Sequence, residues 1–183
     1  MDKIKIKNVF VAVFDKKVLD SLVPLFKYHK INCVGTQGTV KYLKTKGVGA
    51  RSVVSGFDFD GRVKSLDKKN FVSILADKAN PKHLKELKKL KILPTDAVIV
   101  DLYKPTKKGF PESMDIGGQA LIRAAIKNFD NVAVAFDKKS IDDLAWELKQ
   151  SKGETGIKFR HKQAKAGLKF VSSRTRLESS FAI

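Results

Sequence analysis

Short apolar runs alternate with segments of helical periodicity along this chain, and that alternation leaves few folds open. Residues 9–14 form a continuous apolar run ending at Asp15-Lys16, after which Val18, Leu19, Leu22, Leu25 and Phe26 recur at helical spacing. A second run at 31–34 ends in Gly35-Thr36-Gln37-Gly38-Thr39 before a helical segment at 40–46. A third, at 98–100, is closed by Asp101-Leu102-Tyr103-Lys104-Pro105, where the proline stops any helix. Asp115-Ile116-Gly117-Gly118 then opens a helix with Ala120, Leu121, Ala124 and Ala125 on its packing side, and a strand at 132–136 precedes a helix at 141–148. Strands that are apolar on both faces and separated by helices predict an α/β fold, a doubly wound parallel sheet with helices on both faces. Ligands of such sheets sit beyond the carboxyl ends of the strands. Asp15 and Lys16, the turn from Thr36 to Thr39, Asp101 to Tyr103 and, across a loop, Asp115 to Gly118 all fall there.

The length of 183 residues suits one domain, residues 1–183, with an α/β core over 1–150 and a different composition over 151–183. In that tail Lys158, Arg160, Lys162, Lys165, Lys169, Arg174 and Arg176 interleave with Ile157, Phe159, Ala164, Leu168, Phe170 and Val171, which predicts a basic amphipathic helix. Its apolar stripe, Ile157, Leu168, Phe170 and Val171, needs cover from the domain or from a second subunit. No apolar run approaches the roughly 20 residues that cross a bilayer, and the start MDKIKIKN lacks a signal peptide's apolar segment, so a soluble cytoplasmic protein is expected. The single cysteine, Cys33, excludes an internal disulfide.

A net charge of +18 fits either a nucleic-acid surface or attraction of a small anionic substrate. The lysines are spread throughout and the aromatic residues are mostly Phe in apolar runs, so no basic stripe with exposed rings is present for base stacking. Solvated helix faces, such as the lysine-rich segment 82–91, account for much of the charge, and nucleic-acid binding is not expected.

The turn Gly35-Thr36-Gln37-Gly38-Thr39 offers backbone N–H groups and hydroxyls to an anion, or is simply a tight turn with a threonine cap. Arg62 and Lys64 flank Val63 after Asp60-Gly61, an arrangement suited to phosphate but common as surface charge. Arg123 and Lys127 lie four apart on the helix that Asp115 begins. His29, His83 and His161 lack ligand spacing, so no metal is expected, and Cys33 inside an apolar run reads as core.

Together, VFDKK (13–17), GTQGT (35–39), FDGRVKSL (59–66), ILADKANPKHLKEL (74–87), VIVDLY (98–103), DIGGQALIRAAIKN (115–128) and VAVAFD (132–137) resemble, in order, the inosine monophosphate cyclohydrolase domain of the bifunctional purine-biosynthesis enzyme. The resemblance covers nearly the whole chain. It implies a fold similar to methylglyoxal synthase, a homodimer, and dehydrative closure of 5-formamidoimidazole-4-carboxamide ribonucleotide to inosine monophosphate, with no metal or organic cofactor. By resemblance, Lys64, Tyr103, Asp115 and Lys127 are the catalytic candidates around the base. Asp15, Lys16, Thr36, Gln37, Gly38, Thr39, Arg62, Val63, Ser65, Asp101, Ile116, Gly117 and Arg123 are the substrate-binding candidates. The transformylase domain of that enzyme is absent from this sequence, so a separate formyltransferase is the expected partner.

The chain departs from the family's usual pattern at several of these places. Ala12-Val13-Phe14 stands where Ser-Val-Ser is common, Gln37 replaces a glycine, Asp101 replaces an asparagine, and Ser65-Leu66-Asp67-Lys68 replaces Thr-Leu-His-Pro. Two hydroxyls of the expected phosphate pocket are thereby lost. Two alternatives remain open: a methylglyoxal synthase-like lyase with a phosphate ligand, and a noncatalytic basic domain that binds nucleotide or nucleic acid.

Overall fold

The computed structural model describes residues 2–53 and 65–182. Its centre is a sheet of five strands in the order β4-β3-β2-β5-β6, comprising β2 (Asn8–Val13), β3 (Asn32–Gly35), β4 (Ala50–Ser52), β5 (Ala97–Asp101) and β6 (Ala133–Ala135). Every neighbouring pair in it is parallel. A separate antiparallel pair joins β1 (Lys3–Lys5) to β7 (Glu154–Gly156).

The continuous apolar runs follow from burial of both sheet faces. Val9, Val11 and Val13 of β2, with Ala97 and Ile99 of β5, enter one core; Phe10, Val98 and Val100 enter the other. The first core is closed by a 3-10 turn (Lys16–Leu19), α1 (Val23–Tyr28), Leu43 of α2 (Gln37–Thr45) and Ile141, Leu144 and Leu148 of α6 (Lys138–Gln150). The second is closed by Ile74 of α3 (Lys68–Leu75), by Leu121, Ile122 and Ala125 of α5 (Ile116–Lys127), and by Ala164 and Val171 of α7 (Ile157–Ser179). The remaining helix, α4 (Pro81–Lys89), buries only Leu87, so its lysines do solvate an outer face.

Several local expectations are corrected. The helix expected through Val18 to Phe26 is split, because Pro24 favours a helix start and α1 begins at Val23 after the separate 3-10 turn. The turn at 35–39 is half helix, with α2 starting at Gln37. The last core helix starts at Lys138 rather than at 141, because Asp137 and Ser140 form a reciprocal capping box. The basic tail packs on its own domain, against α5 and β6, and its buried face differs from the expected one. Arg160, Gln163, Ala164, Gly167, Val171 and Glu178 turn inward, while Leu168 is half exposed. Arg160, expected on the solvated face, is fully buried and donates to the carbonyls of Phe129 (2.9 Å), Thr155 (2.6 Å) and Asp130 (3.2 Å).

Candidate functional site at the sheet switch point

The order β4-β3-β2-β5-β6 reverses direction between β2 and β5, so the crossovers that leave these two strands depart to opposite sides and open a crevice at their carboxyl ends. The crevice floor is tied together by main chain. Phe14 N–H donates to the Asp101 carbonyl at 3.0 Å, and Asp15 N–H donates to the Asp101 carboxylate at 2.9 Å. Asp15 in turn caps the 3-10 turn by accepting from Lys17 N–H at 2.9 Å. The Lys16 ammonium folds back on the carbonyls of Val13 and Phe14. Burial lowers its pKa, opposed by the nearby charges of Asp101 and Asp15.

The start of α2 forms one wall. Thr36 is the N-cap residue but makes no capping hydrogen bond with its side chain. Its hydroxyl lies 3.1 Å from that of Thr39, and Thr39 Oγ1 accepts from Val13 N–H at 3.3 Å, so Thr39, fully buried, fastens the helix to β2. Gly35 lets β3 approach β2 here, since a Cβ at that position would sit 1.9 Å from the Val11 carbonyl oxygen. Gln37 and Gly38 remain exposed on a helix end with no acidic residue in its first turn, a suitable seat for an anion. The Lys16 side chain runs beside Gly38, its Cε 3.6 Å from where a Cβ would be.

The opposite wall is the start of α5. Asp115 is its N-cap and accepts from Gly118 N–H at 2.7 Å. Burial raises the Asp115 pKa and Asp101 adds to the rise, while the Gly118 N–H and Arg174 oppose it. Asp101 is likewise raised by burial, and by Asp15, against the Asp15 N–H, Arg174 and Lys16. Gly118 is required, because a Cβ would meet Leu102 Cδ2 at 2.2 Å and Asp115 Oδ1 at 2.8 Å. Tyr103 donates its hydroxyl to the Met114 carbonyl at 2.9 Å, and its pKa is raised by burial and then by Asp115, Glu178 and Glu112. The Tyr103 ring faces that of Phe14 with centroids 6.1 Å apart. Ser65 lies directly against Gly117, and Ile116 is exposed at the rim.

The fold thus brings together Asp15, Lys16, Thr36, Gln37, Gly38, Thr39, Ser65, Asp101, Tyr103, Asp115, Ile116 and Gly117. Arg62, Val63 and Lys64 lie outside the described residues. Arg123 and Lys127 do not join the cluster within one chain: both are exposed, and Lys127 ends the helix that Asp115 begins, roughly 18 Å away at about 1.5 Å per residue. A cavity of about 470 Å³ lies elsewhere, lined by Asn8, Asn32, Arg51, Asn70, Ser73 and Thr95 among others, and none of the Asp15, Asp101 and Asp115 carboxylates reaches it. Sequence reasoning placed Arg174 on a solvated face, yet it forks onto the carbonyls of Tyr103 (3.1 Å) and Leu102 (3.2 Å). It also missed the Gln119–Glu178 hydrogen bond of 2.8 Å. A signal was available: Arg160, Gly167 and Arg174 recur every seven residues, which keeps them on one helix face. Among the described residues, no group of His, Cys, Asp and Glu is arranged to hold a metal, and no helix is long and apolar enough to cross a membrane.

No protein-family model matches the chain. Curated relatives do. The bifunctional purine biosynthesis protein PurH of Clostridium botulinum (strain Loch Maree / Type A3) is 34% identical over 190 aligned positions, covering 97% of this chain and 38% of that protein. PurH of Caldicellulosiruptor bescii is 35% identical, covering 84% of this chain and 32% of that protein, and PurH of Clostridium kluyveri is 36% identical, covering 87% and 34%. The chain therefore spans less than two fifths of the length of these relatives. The crystal structure of ForH superposes with a TM-score of 0.82 at 24% identity, covering 97% of this chain and 98% of that one, and the shared fold is methylglyoxal synthase-like.

Proposed function

Taking the chain as a homologue of the PurH proteins over the part of them that it spans, we propose that it carries their ring-closing chemistry, as an inosine monophosphate cyclohydrolase. The observation that supports this reading best is the Asp115 carboxylate, held at the start of α5 beside Tyr103 and Asp101 at the sheet switch point.

The reaction joins two groups of one molecule. The carboxamide nitrogen of 5-formamidoimidazole-4-carboxamide ribonucleotide attacks the formyl carbon, a C–N bond forms, and the formyl oxygen takes up negative charge. That oxygen collects one proton originating on the carboxamide nitrogen and one from the formamido nitrogen, and leaves as water. The protein must therefore hold a bent conformer, accept the amide proton and steady the oxyanion. Asp115 is the proton acceptor in this reading, and its raised pKa makes it a better base than an exposed carboxylate. The Tyr103 hydroxyl is next to it for proton relay, and Lys64 is assigned to the oxyanion. The exposed first turn of α2 (Thr36, Gln37, Gly38) with Lys16 receives the phosphate, Arg62 is assigned to it by resemblance, and Thr39 holds that turn in place. Asp15, Ser65, Asp101, Ile116 and Gly117 line the rest of the crevice, and Val63 is assigned to substrate binding by resemblance alone. Phe14 and Tyr103 flank the base, so the ring wall replaces the hydroxyl usual at position 14. Arg123 and Lys127, exposed along α5 away from its start, are given no role in a single chain. A homodimer and a formyltransferase that supplies the substrate complete the proposal.

Calorimetry tests the substrate class. Inosine monophosphate should bind at least tenfold more tightly than inosine, because the α2 end engages the phosphate. Equal affinity for the two would count against the reading.

A further inference from the structure

We propose that Arg174 is a positioning residue of this site, because its guanidinium, carried in from the closing helix α7, grips the main chain of Leu102 and Tyr103 and presents positive charge to Asp101 and Asp115. The inference rests on the reading of Asp115 as the proton acceptor.

Three contacts fix the guanidinium. Its Nη1 donates to the Tyr103 carbonyl at 3.1 Å and its Nη2 to the Leu102 carbonyl at 3.2 Å, while its carbon lies 5.5 Å from the centre of the Phe170 ring. Both carbonyls follow the last residue of β5 and have left the sheet ladder, so a side-chain donor takes over the role of a neighbouring strand. A two-armed planar donor suits two successive carbonyls, and a lysine cannot reproduce it. The grip is transmitted to the site: Tyr103 reaches from there to the Met114 carbonyl, and the next residue is Asp115. A loop of contacts thus runs from α7 through Tyr103 to the start of α5.

Among the described residues, the charges around Asp115 come from several elements. The Gly118 N–H of α5 and Arg174 of α7 favour its ionised form, and Asp101 of β5 disfavours it. Tyr103 packs beside it, with Glu178 of α7 and Glu112 of the preceding loop acting on that phenol. Asp15 and Lys16 act on Asp101 in turn. Among the described residues, Arg174 is the cation that acts on both acids. Its charge therefore offsets the repulsion between Asp101 and Asp115, a need created by an aspartate at position 101.

The experiment is a carbon-detected NMR titration of the Asp115 carboxyl in the intact protein, without substrate, for wild type, Arg174→Gln and Arg174→Lys. Loss of the charge in Arg174→Gln should raise the Asp115 midpoint by about half a pH unit or more. Arg174→Lys should keep the midpoint near the wild-type value, yet lower kcat for ring closure several-fold at little change in KM, because the carbonyl grip is lost. An unchanged midpoint in a folded Arg174→Gln variant overturns the proposal. If that variant does not fold, Arg174→Lys decides alone, and a displaced midpoint or wild-type kcat in it overturns the proposal. The titration needs no turnover, so a wild-type protein that fails to close the ring would sink the functional reading separately.

Discussion

The backbone N–H of Asp15 donates to the side chain of Asp101 at 2.9 Å, so the loop leaving β2 is anchored by an acid whose pKa burial has raised. A carboxyl that binds its proton more tightly in the folded state favours folding below its unfolded pKa, and that contribution is lost as pH rises through the folded value. Asp101→Asn keeps an oxygen acceptor for Asp15 and removes the ionisation. The variant should melt at a higher temperature than wild type at pH 7, with the difference shrinking as pH falls toward 4. Thermal denaturation across that range checks this, and a destabilised variant at pH 7 would contradict it.

Gly118 admits both Leu102 and the capping carboxylate of Asp115 where a Cβ would stand. Gly118→Ala should displace Asp115 and cost roughly 1–3 kcal/mol of stability, a typical penalty for overpacking. Ring closure should fall further than the loss of folded protein explains. Activity per folded molecule, measured together with urea unfolding, separates the two effects.

Arg160 serves three main-chain carbonyls inside the protein, joining α7 to the middle of β7 and to the loop before β6. Arg160→Met fills part of the space but leaves those acceptors without their donor. Unfolding free energy should drop by about 3 kcal/mol or more, given about 1–3 kcal/mol for each buried group left unsatisfied. Denaturant titration of the purified variant measures it.

Arg160 and Arg174 also mark where the sequence stops being readable. The four strands in apolar runs are visible because both faces of β2, β5 and β6 are buried and Cys33 and Val34 of β3 pack into the two cores, which leaves no polar alternation to hide them. The edge strand β4 was not visible: Arg51 and Ser52 are exposed, and a three-residue polar strand carries no periodic signal. Lysine-rich β1 and the polar β7 escaped because strands of three residues carry no periodic signal either. At the site, Asp115 could be read as a helix cap, but the grip of Arg174 on Tyr103 joins residues 71 positions apart and depends on how α7 crosses α5. In α7 the buried face is built mostly from small, polar and charged residues, so a search for an apolar stripe selected the half-exposed Leu168 beside the buried Val171.

Cys33 sits in β3 with its side chain buried, and burial pushes its thiol up to about 12. The thiolate is the reactive form, so Cys33 should resist iodoacetamide at pH 8 for hours in the native state and react within minutes in guanidinium. Mass spectrometry of the timed samples reads this directly. Rapid native labelling would show that β3 opens far more readily than its packing implies.

If the switch-point crevice closes a purine ring with Asp115 as the proton acceptor, removal of that one carboxylate should nearly stop turnover. Purified protein should be incubated with 5-formamidoimidazole-4-carboxamide ribonucleotide, and formation of inosine monophosphate followed by absorbance, for wild type and for Asp115→Asn. Asparagine can still accept from Gly118 N–H, so the start of α5 should survive while the base is lost. Wild type should turn over, and the variant's rate should be reduced by about 10²–10⁴-fold, the usual range for removing a general base. No product above the uncatalysed rate from wild type, or equal rates for the two proteins, would contradict it.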